Sequence, residues 1–346
     1  MIALYFISYI LNVFKVHLHS RHLNAVITFI SVVLASLLVG TRPLDAGYDT
    51  KGYVEAYNLL DTNIFQSLLV IKQYFGVSIE PIFWGYAWLI SKLGMTDTAF
   101  IFITAFLSIL LTGIAYRKMD ERYYYLSFIG VLFSGSFINL YGNAIRQGLA
   151  IPFFLLAFYH YMNGNNRKVY LYLIITFFIH QYTGILMALF FVVRLVPFRI
   201  YWILWFGCFL GAFIIASGLL NFIPGLSHYA KPGGLLYLVH PTYLEFPIYY
   251  LLLKRTDLME DERFNRMIQF VAVVFLLQTL FIANIYAYNR IGLLRFIVEP
   301  IIYTRLFLKI KPEKASRQIV LAIFFAYGLS IFLSETVQTT LSSTSE

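Results

Sequence analysis

The chain of 346 residues contains a single cysteine, Cys208, so it can form neither an intramolecular disulfide nor a cysteine-based metal site. Charge is also scarce, because Asp, Glu, Lys and Arg together make up 12% of the residues, against about 25% in average soluble domains. Hydrophobic residues make up 60%, and the mean hydropathy is +0.74. This composition excludes a soluble protein with one anchor and predicts a chain that lies almost entirely in or beside a bilayer.

Three kinds of catalytic or binding motif are also missing from the sequence. It has no His/Cys cluster at zinc spacing, no DxD-like carboxylate cluster for a divalent cation and a sugar nucleotide, and no GxxxxGK[ST] phosphate loop. We therefore expect no metal and no cofactor, and both ATP-driven and nucleotide-sugar chemistry are disfavoured. The net charge of +9 does not indicate nucleic-acid binding, because most basic residues lie in short loops between apolar runs.

Long apolar runs dominate the rest of the sequence. Seven of them extend for roughly 16 to 24 residues without a full charge, near the roughly 20 that a membrane-spanning helix needs: 23–40, 98–116, 123–140, 147–162, 200–223, 267–288 and 318–334. The run 291–308 is nearly as apolar but contains three charges. The N-terminal stretch 1–16 has no basic leader and no cleavage site, so we predict that it is a retained first helix. Backbone hydrogen bonding in lipid and the absence of strand-like alternation predict an all-α polytopic membrane protein.

Placing the basic loops in the cytoplasm predicts the orientation of these segments. Residues 123–162 then form a hairpin whose tip, 141–143, is outside, and residues 169–193 go out and return as two short helices that turn at "HQYTG", 180–184. Residues 80–94 are too short to cross and are predicted to be re-entrant or interfacial. In all we expect about 11 to 13 membrane segments, some short, broken or re-entrant. The predicted organisation is a single membrane domain over 1–346, with external loops at 42–79 and 224–240 and a polar tail at 335–346.

This orientation gathers on the external side eight ionisable residues that were not used to choose it: Arg42, Asp45, Asp49, Glu80, Arg146, His180, Arg290 and Arg295. Ionisable residues at membrane depth are costly and mark functional sites. Arginine binds phosphate oxygens through a planar, permanently charged fork, although Arg146 can instead snorkel to lipid headgroups. Structural pairing is the alternative for Arg290, at the predicted outer turn "YAYNRIG", and for Arg295, one helical turn before Glu299.

Acid–base and sugar-binding candidates lie on the same side. His180 is a candidate general base or substrate hydrogen-bonding group, and the alternative is a neutral histidine hydrogen-bonded in a helix turn. The carboxylates of Asp49 and Glu80 are further candidate bases. The alternative for both is a solvated loop position. For Asp49 an Asx-turn is a further alternative, and for Glu80 it is capping of the helix that starts at "EP". Tyr48, Tyr53 and Tyr57 can pack on sugar rings or anchor the chain at the membrane interface.

Five motifs occur in order along residues 42–295: "TRPLDAGYDTKGY", "EPIFWGY", "NAIRQGLAIPFFLLAFYHY", "IITFFIHQYTGIL" and "YNRIGLLRFI". Together they resemble the EpsG/Wzy-like family of membrane polysaccharide polymerases, and the "IRQ" stretch is the most specific of them. The resemblance implies a GT-C-like, multi-pass protein of the bacterial plasma membrane whose active site faces outside. It implies a metal-independent glycosyltransferase that transfers an undecaprenyl-pyrophosphate-linked glycan to the non-reducing end of another lipid-linked repeat unit.

The resemblance also implies roles for the candidate residues. The expected pyrophosphate ligands are Arg146 and Arg290, assisted by Arg42 and Arg295; the expected catalytic residues are Asp49, His180 and Glu80; the expected substrate-binding residues are Gln147, Tyr48, Tyr53 and Tyr141. The expected partners are the lipid-linked oligosaccharide, membrane lipid and a separate chain-length regulator protein. Three other functions stay open: an O-antigen ligase that uses a lipid A core acceptor, a flippase or transporter of the same lipid, and a glycan acyltransferase. The acyltransferase is disfavoured because no nucleophile–base pair stands out.

Overall fold

The computed structural model describes the following residues: 7, 10–11, 21–44, 49–60, 63–75, 80–121, 123–132, 134–193, 200–216, 261–281, 285–310 and 317–323. Within these ranges the secondary structure is helical and contains no strand, which confirms the predicted all-α class. The predicted external loop 224–240, the predicted tail 335–346 and Tyr48 lie outside the described residues.

Twelve helices of the described residues form and surround the candidate site. They are α1 Arg21–Gly40, α2 Thr50–Asn58, α3 Ile64–Phe75, α4 Pro81–Lys92, α5 Asp97–Met119, α6 Tyr124–Leu132, α7 Ile145–Met162, α8 Asn166–Ile179, α9 Gln181–Val193, α10 Tyr201–Ala216, α11 Glu262–Leu280 and α12 Ile285–Ile310. The chain divides into two compact units, residues 1–185 with 310–346, and residues 186–309.

Helix α5 is the central element of the first unit. It packs against α1 and α7, and α7 packs against α8. The approach to α1 depends on Gly40, because a Cβ at this position would lie 2.6 Å from the Cα of Phe102. Among the described residues α5 is the one helix that is both long and apolar enough to cross a membrane, and two shorter apolar helices cover Ala25–Gly40 and Trp202–Ile214.

Helix α5 buries a row of hydroxyl groups at four-residue spacing. Thr104, Ser108 and Thr112 each donate a hydrogen bond of 2.7 Å to the carbonyl oxygen four residues earlier. The hydroxyl groups are therefore satisfied within the helix, which is how polar side chains are tolerated in an apolar core. The row also ties α5 to its surroundings, because Thr112 accepts a hydrogen bond of 3.0 Å from the hydroxyl of Tyr141.

Helices α7, α8 and α9 follow one another through two sharp turns. Between α7 and α8, Gly164 has a φ of +72°, a backbone conformation that glycine adopts without strain, and the side chain of Asn165 caps α8. Between α8 and α9, the chain breaks at a single extended residue, His180. The prediction that residues 169–193 form two short helices turning at 180–184 is thus confirmed. Gly184 allows the turn, since a Cβ there would lie 2.6 Å from the Cα of Phe177.

The run 123–140, expected to be one continuous span, is interrupted. Helix α6 ends at Leu132, and a helical turn Gly135–Ile138 and a π-helical turn Asn139–Asn143 follow before α7 begins. The Ser134 hydroxyl donates to the carbonyl oxygen of Val131 at 2.8 Å, and a glycine follows it, a residue that weakens helices. The predicted hairpin tip, 141–143, falls in the π-helical turn.

In the second unit, α10 packs against α11, and Trp205, Phe209 and Tyr288 surround the buried Ala212. The turn predicted around Arg290 is wrong, because Arg290 lies inside α12, which begins at Ile285. The polar pair at 289–290 is accommodated within the helix. Helix α11 ends instead at Leu280, where the apolar Phe281 follows, and α12 begins at Ile285.

Candidate functional site

The centre of the candidate site is a buried ion pair in the first unit. Arg146, in the first turn of α7, donates from Nη1 to Oε2 of Glu80 at 2.7 Å. The Glu80 side chain is 3% exposed and that of Arg146 is 19% exposed. Arg146 therefore does not extend to the surface as a snorkelling side chain does, although its guanidinium keeps an open edge.

Two aromatic rings hold the guanidinium of Arg146 in place. Its Nε donates to the hydroxyl of Tyr53 at 3.2 Å. Its central carbon lies 5.1 Å from the centre of the Tyr53 ring and 5.0 Å from the centre of the Phe75 ring, within the range of cation–π attraction. The rings come from α2 and α3, within the predicted external loop 42–79. We refer to Arg146, Glu80, Tyr53 and Phe75 as the Arg146 cluster.

The Arg146 fork keeps hydrogen-bonding capacity for a ligand. A guanidinium has five N–H donors. Among the described residues, Tyr53 and Glu80 accept from two of these N–H groups. The other three N–H groups have no acceptor among the described residues. A fork fixed on one side by a carboxylate and a phenol, and open on the other, is suited to bidentate binding of an anionic oxygen pair.

Glu80 links three helices rather than capping its own. It stands at the N-terminus of α4, with a proline following it, as the sequence predicts, but its carboxylate makes no capping hydrogen bond there. Oε2 instead accepts from Arg146 of α7, and Oε1 accepts from the backbone N–H of Gln181 at the start of α9, at 3.1 Å. The alternative of a simple helix cap is therefore wrong, and the carboxylate fixes the position of Arg146.

His180, next to Gln181 in the chain, is buried and bonded through one ring nitrogen. Its Nδ1 lies 2.8 Å from the hydroxyl oxygen of Thr183 and accepts from the backbone N–H of Thr183 at 3.3 Å. A backbone N–H can only donate, so Nδ1 carries no proton and the neutral ring carries it on Nε2. The side chain matches the alternative of a neutral histidine in a helix turn, and in this tautomer it offers a donor at Nε2.

A second buried arginine lies beside the same stretch of chain. Arg42 is 2% exposed, and its Nη2 donates to the hydroxyl of Thr50 and to the carbonyl oxygen of Gly142. Gly142 leaves room for this contact, since a Cβ there would lie 3.3 Å from the central guanidinium carbon. Arg42 thus packs on the π-helical turn that leads directly to Arg146.

Asp49 is joined to this turn as well. Its backbone N–H donates to the side-chain oxygen of Asn143 at 2.8 Å, and its carbonyl oxygen accepts from the N–H of Tyr53 at 3.2 Å. Asp49 precedes α2, with no capping bond from its side chain to that helix. The residues Asp49, Tyr53 and Arg146 therefore converge on one region, as the sequence predicts for the external face.

The remaining predicted site residues have no hydrogen bond or ion pair with the Arg146 cluster among the contacts described here. Tyr141 is 1% exposed with its hydroxyl bonded to α5, and Gln147 is 2% exposed. In the second unit, Arg295 pairs with Glu299 at 3.1 Å and lies 4.3 Å from the centre of the Phe275 ring, which matches the alternative of structural pairing. Arg290, in the same helix, is half-buried. Substrate roles for these residues stay predictions.

Sequence reasoning missed three contributors to the site. Phe75 lies in no motif, Thr50 lies in "TRPLDAGYDTKGY" without being a candidate there, and Gln181 acts through its backbone amide, which every residue other than proline shares. The one available signal was the position of Gln181 at the predicted helix break. Within the described residues no group of three or more His, Cys, Asp or Glu side chains is placed to hold a metal ion.

The comparisons with known proteins agree with the motif resemblance. Curated relatives include the EPS I polysaccharide export inner membrane protein EpsF of Ralstonia solanacearum, 35% identical over 78 residues, and that of Ralstonia nicotianae, 33% identical over 78 residues. Each match covers 22% of this chain and 19% of the relative, so it spans about a fifth of the relatives' length. No solved structure matches the chain. The model of the EpsG family matches residues 25–342, most of the sequence, and the chain therefore belongs to the EpsG family.

Proposed function

We propose that this protein is a polysaccharide polymerase of the bacterial plasma membrane with its active site at the outer face. The proposal is that it transfers a glycan from undecaprenyl pyrophosphate to the non-reducing end of a second lipid-linked repeat unit. EpsG family membership and a curated relative named as an inner membrane protein of polysaccharide export support this setting. The observation that carries the reaction is Arg146, held by Glu80 and Tyr53 with N–H donors left for a phosphate.

The proposed step is a metal-independent glycosyl transfer. A hydroxyl oxygen of the acceptor sugar forms a bond to the anomeric carbon of the donor, and the bond from that carbon to the phosphate oxygen breaks. The electron pair leaves with undecaprenyl pyrophosphate, and the hydroxyl proton passes to a base. Developing negative charge on the leaving oxygen is stabilised by a preorganised cation, which is usually the largest catalytic contribution.

We assign the charge-stabilising role to Arg146 and a positioning role to Glu80. A fixed fork loses little freedom when the transition state forms, and Glu80 fixes it. Asp49 is the proposed base, because its backbone N–H bonds to Asn143 in the turn that leads to Arg146, whereas Nδ1 of His180 already accepts from the chain. Arg42 supports the same turn through Gly142.

Purified protein in liposomes with lipid-linked repeat units tests the proposal. We expect polymer to form without other proteins, and the chain-length regulator to change only the length distribution. Arg146→Ala and Arg146→Lys are expected to lower kcat by about 10²- to 10³-fold, because lysine keeps the charge but not the fork. Lys51→Ala, at an exposed position of α2, is the control with unchanged rate. Normal chain lengths made by Arg146→Ala would refute the assignment.

The roles of the two carboxylates separate in the same assay. Asp49→Asn is expected to lower kcat with little change in KM, because it removes the proton acceptor. Glu80→Gln keeps one of the two oxygen acceptors and loses the charge, which weakens the hold on Arg146, so we expect it mainly to raise KM for the lipid-linked donor. Equal effects of the two variants on kcat and KM would contradict this division of roles.

Export of the lipid-linked glycan is the second candidate, favoured by the naming of the curated relatives as polysaccharide export inner membrane proteins. A transporter would move the lipid-linked repeat unit between leaflets and release no undecaprenyl pyrophosphate. Measuring both leaflet distribution and free undecaprenyl pyrophosphate in the same liposomes distinguishes the two. Movement of the lipid without pyrophosphate release would replace the polymerase with a transporter. Adding a lipid A core acceptor in a further sample tests the ligase.

A further inference from the structure

A cavity of about 490 Å³ opens in the first unit, outside the Arg146 cluster. It lies where α2 ends, where α4 ends, and where α5 begins. Its volume falls within the range of small-molecule sites. Polar side chains provide most of its functional groups: Asn58, Ser91, Thr96, Asp97 and Thr98. Asn58 and Asp97 form one wall together, with the amide Nδ2 donating to Oδ2 of the carboxylate at 3.1 Å.

The charges of the lining restrict the class of ligand. No Lys or Arg lines the cavity, and its one acidic side chain is that of Asp97, so the lining offers no cation to a phosphate or a carboxylated sugar. A single carboxylate without a second acidic or imidazole partner is a poor divalent-cation site. A carboxylate, an amide and several hydroxyl groups together offer both acceptors and donors, which matches vicinal hydroxyl groups of a neutral sugar.

Helix α2 connects this cavity to the Arg146 cluster. Tyr53 holds Arg146, and Tyr57, one helical turn or about 6 Å further along, lines the cavity. Tyr57 is fixed there, because its hydroxyl donates to the carbonyl oxygen of Met95 at 2.8 Å and its ring stacks on Phe100. Helix α2 therefore contributes a side chain both to the cavity and to the proposed transfer centre.

We infer that this cavity, which we call the Asn58 pocket, is a subsite for an uncharged sugar residue of the glycan substrate. The inference rests on the proposed function for the identity of the glycan, but the pocket is separate from the pyrophosphate-binding arginine. Asn58 and Asp97 bind neighbouring hydroxyl groups of one pyranose. The pocket holds the glycan at a distance from the transfer centre and selects against acidic sugars at that position.

Direct binding to the purified full-length protein tests this subsite without any catalysis. The probe is the free oligosaccharide repeat released from the exopolysaccharide of the source organism, without lipid or pyrophosphate, and binding is followed by saturation-transfer NMR. Asn58→Ala removes one wall, and Thr98→Trp places an indole at the mouth from an exposed position that does not endanger folding. We expect each to weaken binding by at least about tenfold. Asn163→Ala, an exposed amide bonded to a backbone oxygen in another loop, is the matched control.

The outcomes separate the subsite from the polymerase. The Arg146→Lys protein, which keeps a positive charge beside Glu80, is expected to bind the free oligosaccharide as tightly as the wild type, because the probe carries no phosphate. If the purified protein makes no polymer but Asn58→Ala and Thr98→Trp still weaken binding of the probe, the polymerase fails and the subsite stands. Failure of the wild type to bind the probe, or binding by both pocket variants at wild-type strength, overturns the subsite.

Discussion

Removing one side chain of the buried Arg146–Glu80 pair should destabilise the protein more than removing both. A charge left alone in a buried site is more costly than the pair, since the remaining group has lost both water and its partner. We expect Arg146→Met and Glu80→Gln each to destabilise the protein by about 3–5 kcal/mol, and the double variant to recover a large part of that loss. Thermal unfolding of the purified protein measures the three free energies.

The control for this prediction is a solvent-exposed ion pair. Lys51 and Glu55, one turn apart on α2, lie 3.9 Å from each other with largely exposed side chains. Such pairs contribute about 0–1 kcal/mol, so Lys51→Ala should unfold close to the wild-type temperature. If the double variant is as unstable as the sum of the two single variants, Arg146 and Glu80 do not stabilise each other.

The sequence singles out both members of this pair but not their contact. A full charge in an apolar run is conspicuous by itself, and so is a Glu-Pro at the start of an apolar helix. Glu80 and Arg146 lie 66 residues apart in the chain. Their contact therefore depends on how the start of α4 is placed against α7. No local pattern encodes that packing. Tyr53 was a candidate for sugar stacking, and only the fold shows it bonded to Nε of Arg146.

At the scale of the helices, two glycines control where the site is assembled. At Gly148, a Cβ would lie 2.6 Å from the carbonyl oxygen of Leu140, where α7 meets the π-helical turn. At Gly184, it would press on the backbone of α8 and open the turn that brings the Gln181 amide to Glu80. Backbone contacts cannot move aside as a flexible side chain can.

Substitution of Gly184 by alanine should therefore affect stability and activity together. We expect a loss of about 1–3 kcal/mol from overpacking and reduced polymer synthesis from displacement of Glu80. The matched control is Gly207→Ala in α10, where nothing lies within 4 Å of the added Cβ. There, alanine should leave activity unchanged and raise helix stability by up to about 1 kcal/mol. Wild-type behaviour of Gly184→Ala would show that the α8–α9 turn tolerates rearrangement.

Helix boundaries were predictable where an apolar run gives way to polar or small residues. The break at His180 is preceded by a long apolar run and followed by "QYTG", and the structure breaks there. The junction of α11 and α12 is different, because the apolar sequence continues through Phe281 while the polar residues near Arg290 continue the helix. Hydropathy indicates which side chains avoid water. It does not indicate where the helical pattern of backbone hydrogen bonds stops. Helix ends that lie within apolar sequence are therefore not predicted from hydropathy.

For the whole molecule, the arrangement in the membrane is the prediction on which the outer-face chemistry depends. The orientation came from basic loops, which are expected to stay in the cytoplasm. It places α3, within residues 42–79, outside, and the loop between α7 and α8 inside. Both segments contain exposed side chains, Gln66 on α3 and Asn166 at the start of α8, so both can be reached by a reagent from one side of the membrane.

The single cysteine makes this topology directly testable. Cys208→Ser gives a cysteine-free background, into which Gln66→Cys or Asn166→Cys is introduced. With a membrane-impermeant maleimide on intact spheroplasts, we expect labelling of Gln66→Cys at once and of Asn166→Cys only after the membrane is permeabilised. Retained polysaccharide synthesis in each variant shows that the labelled protein is correctly folded. The reverse labelling pattern would place the Arg146 cluster on the cytoplasmic side, where the proposed lipid-linked donor and acceptor are not polymerised, and would exclude the outer-face polymerase.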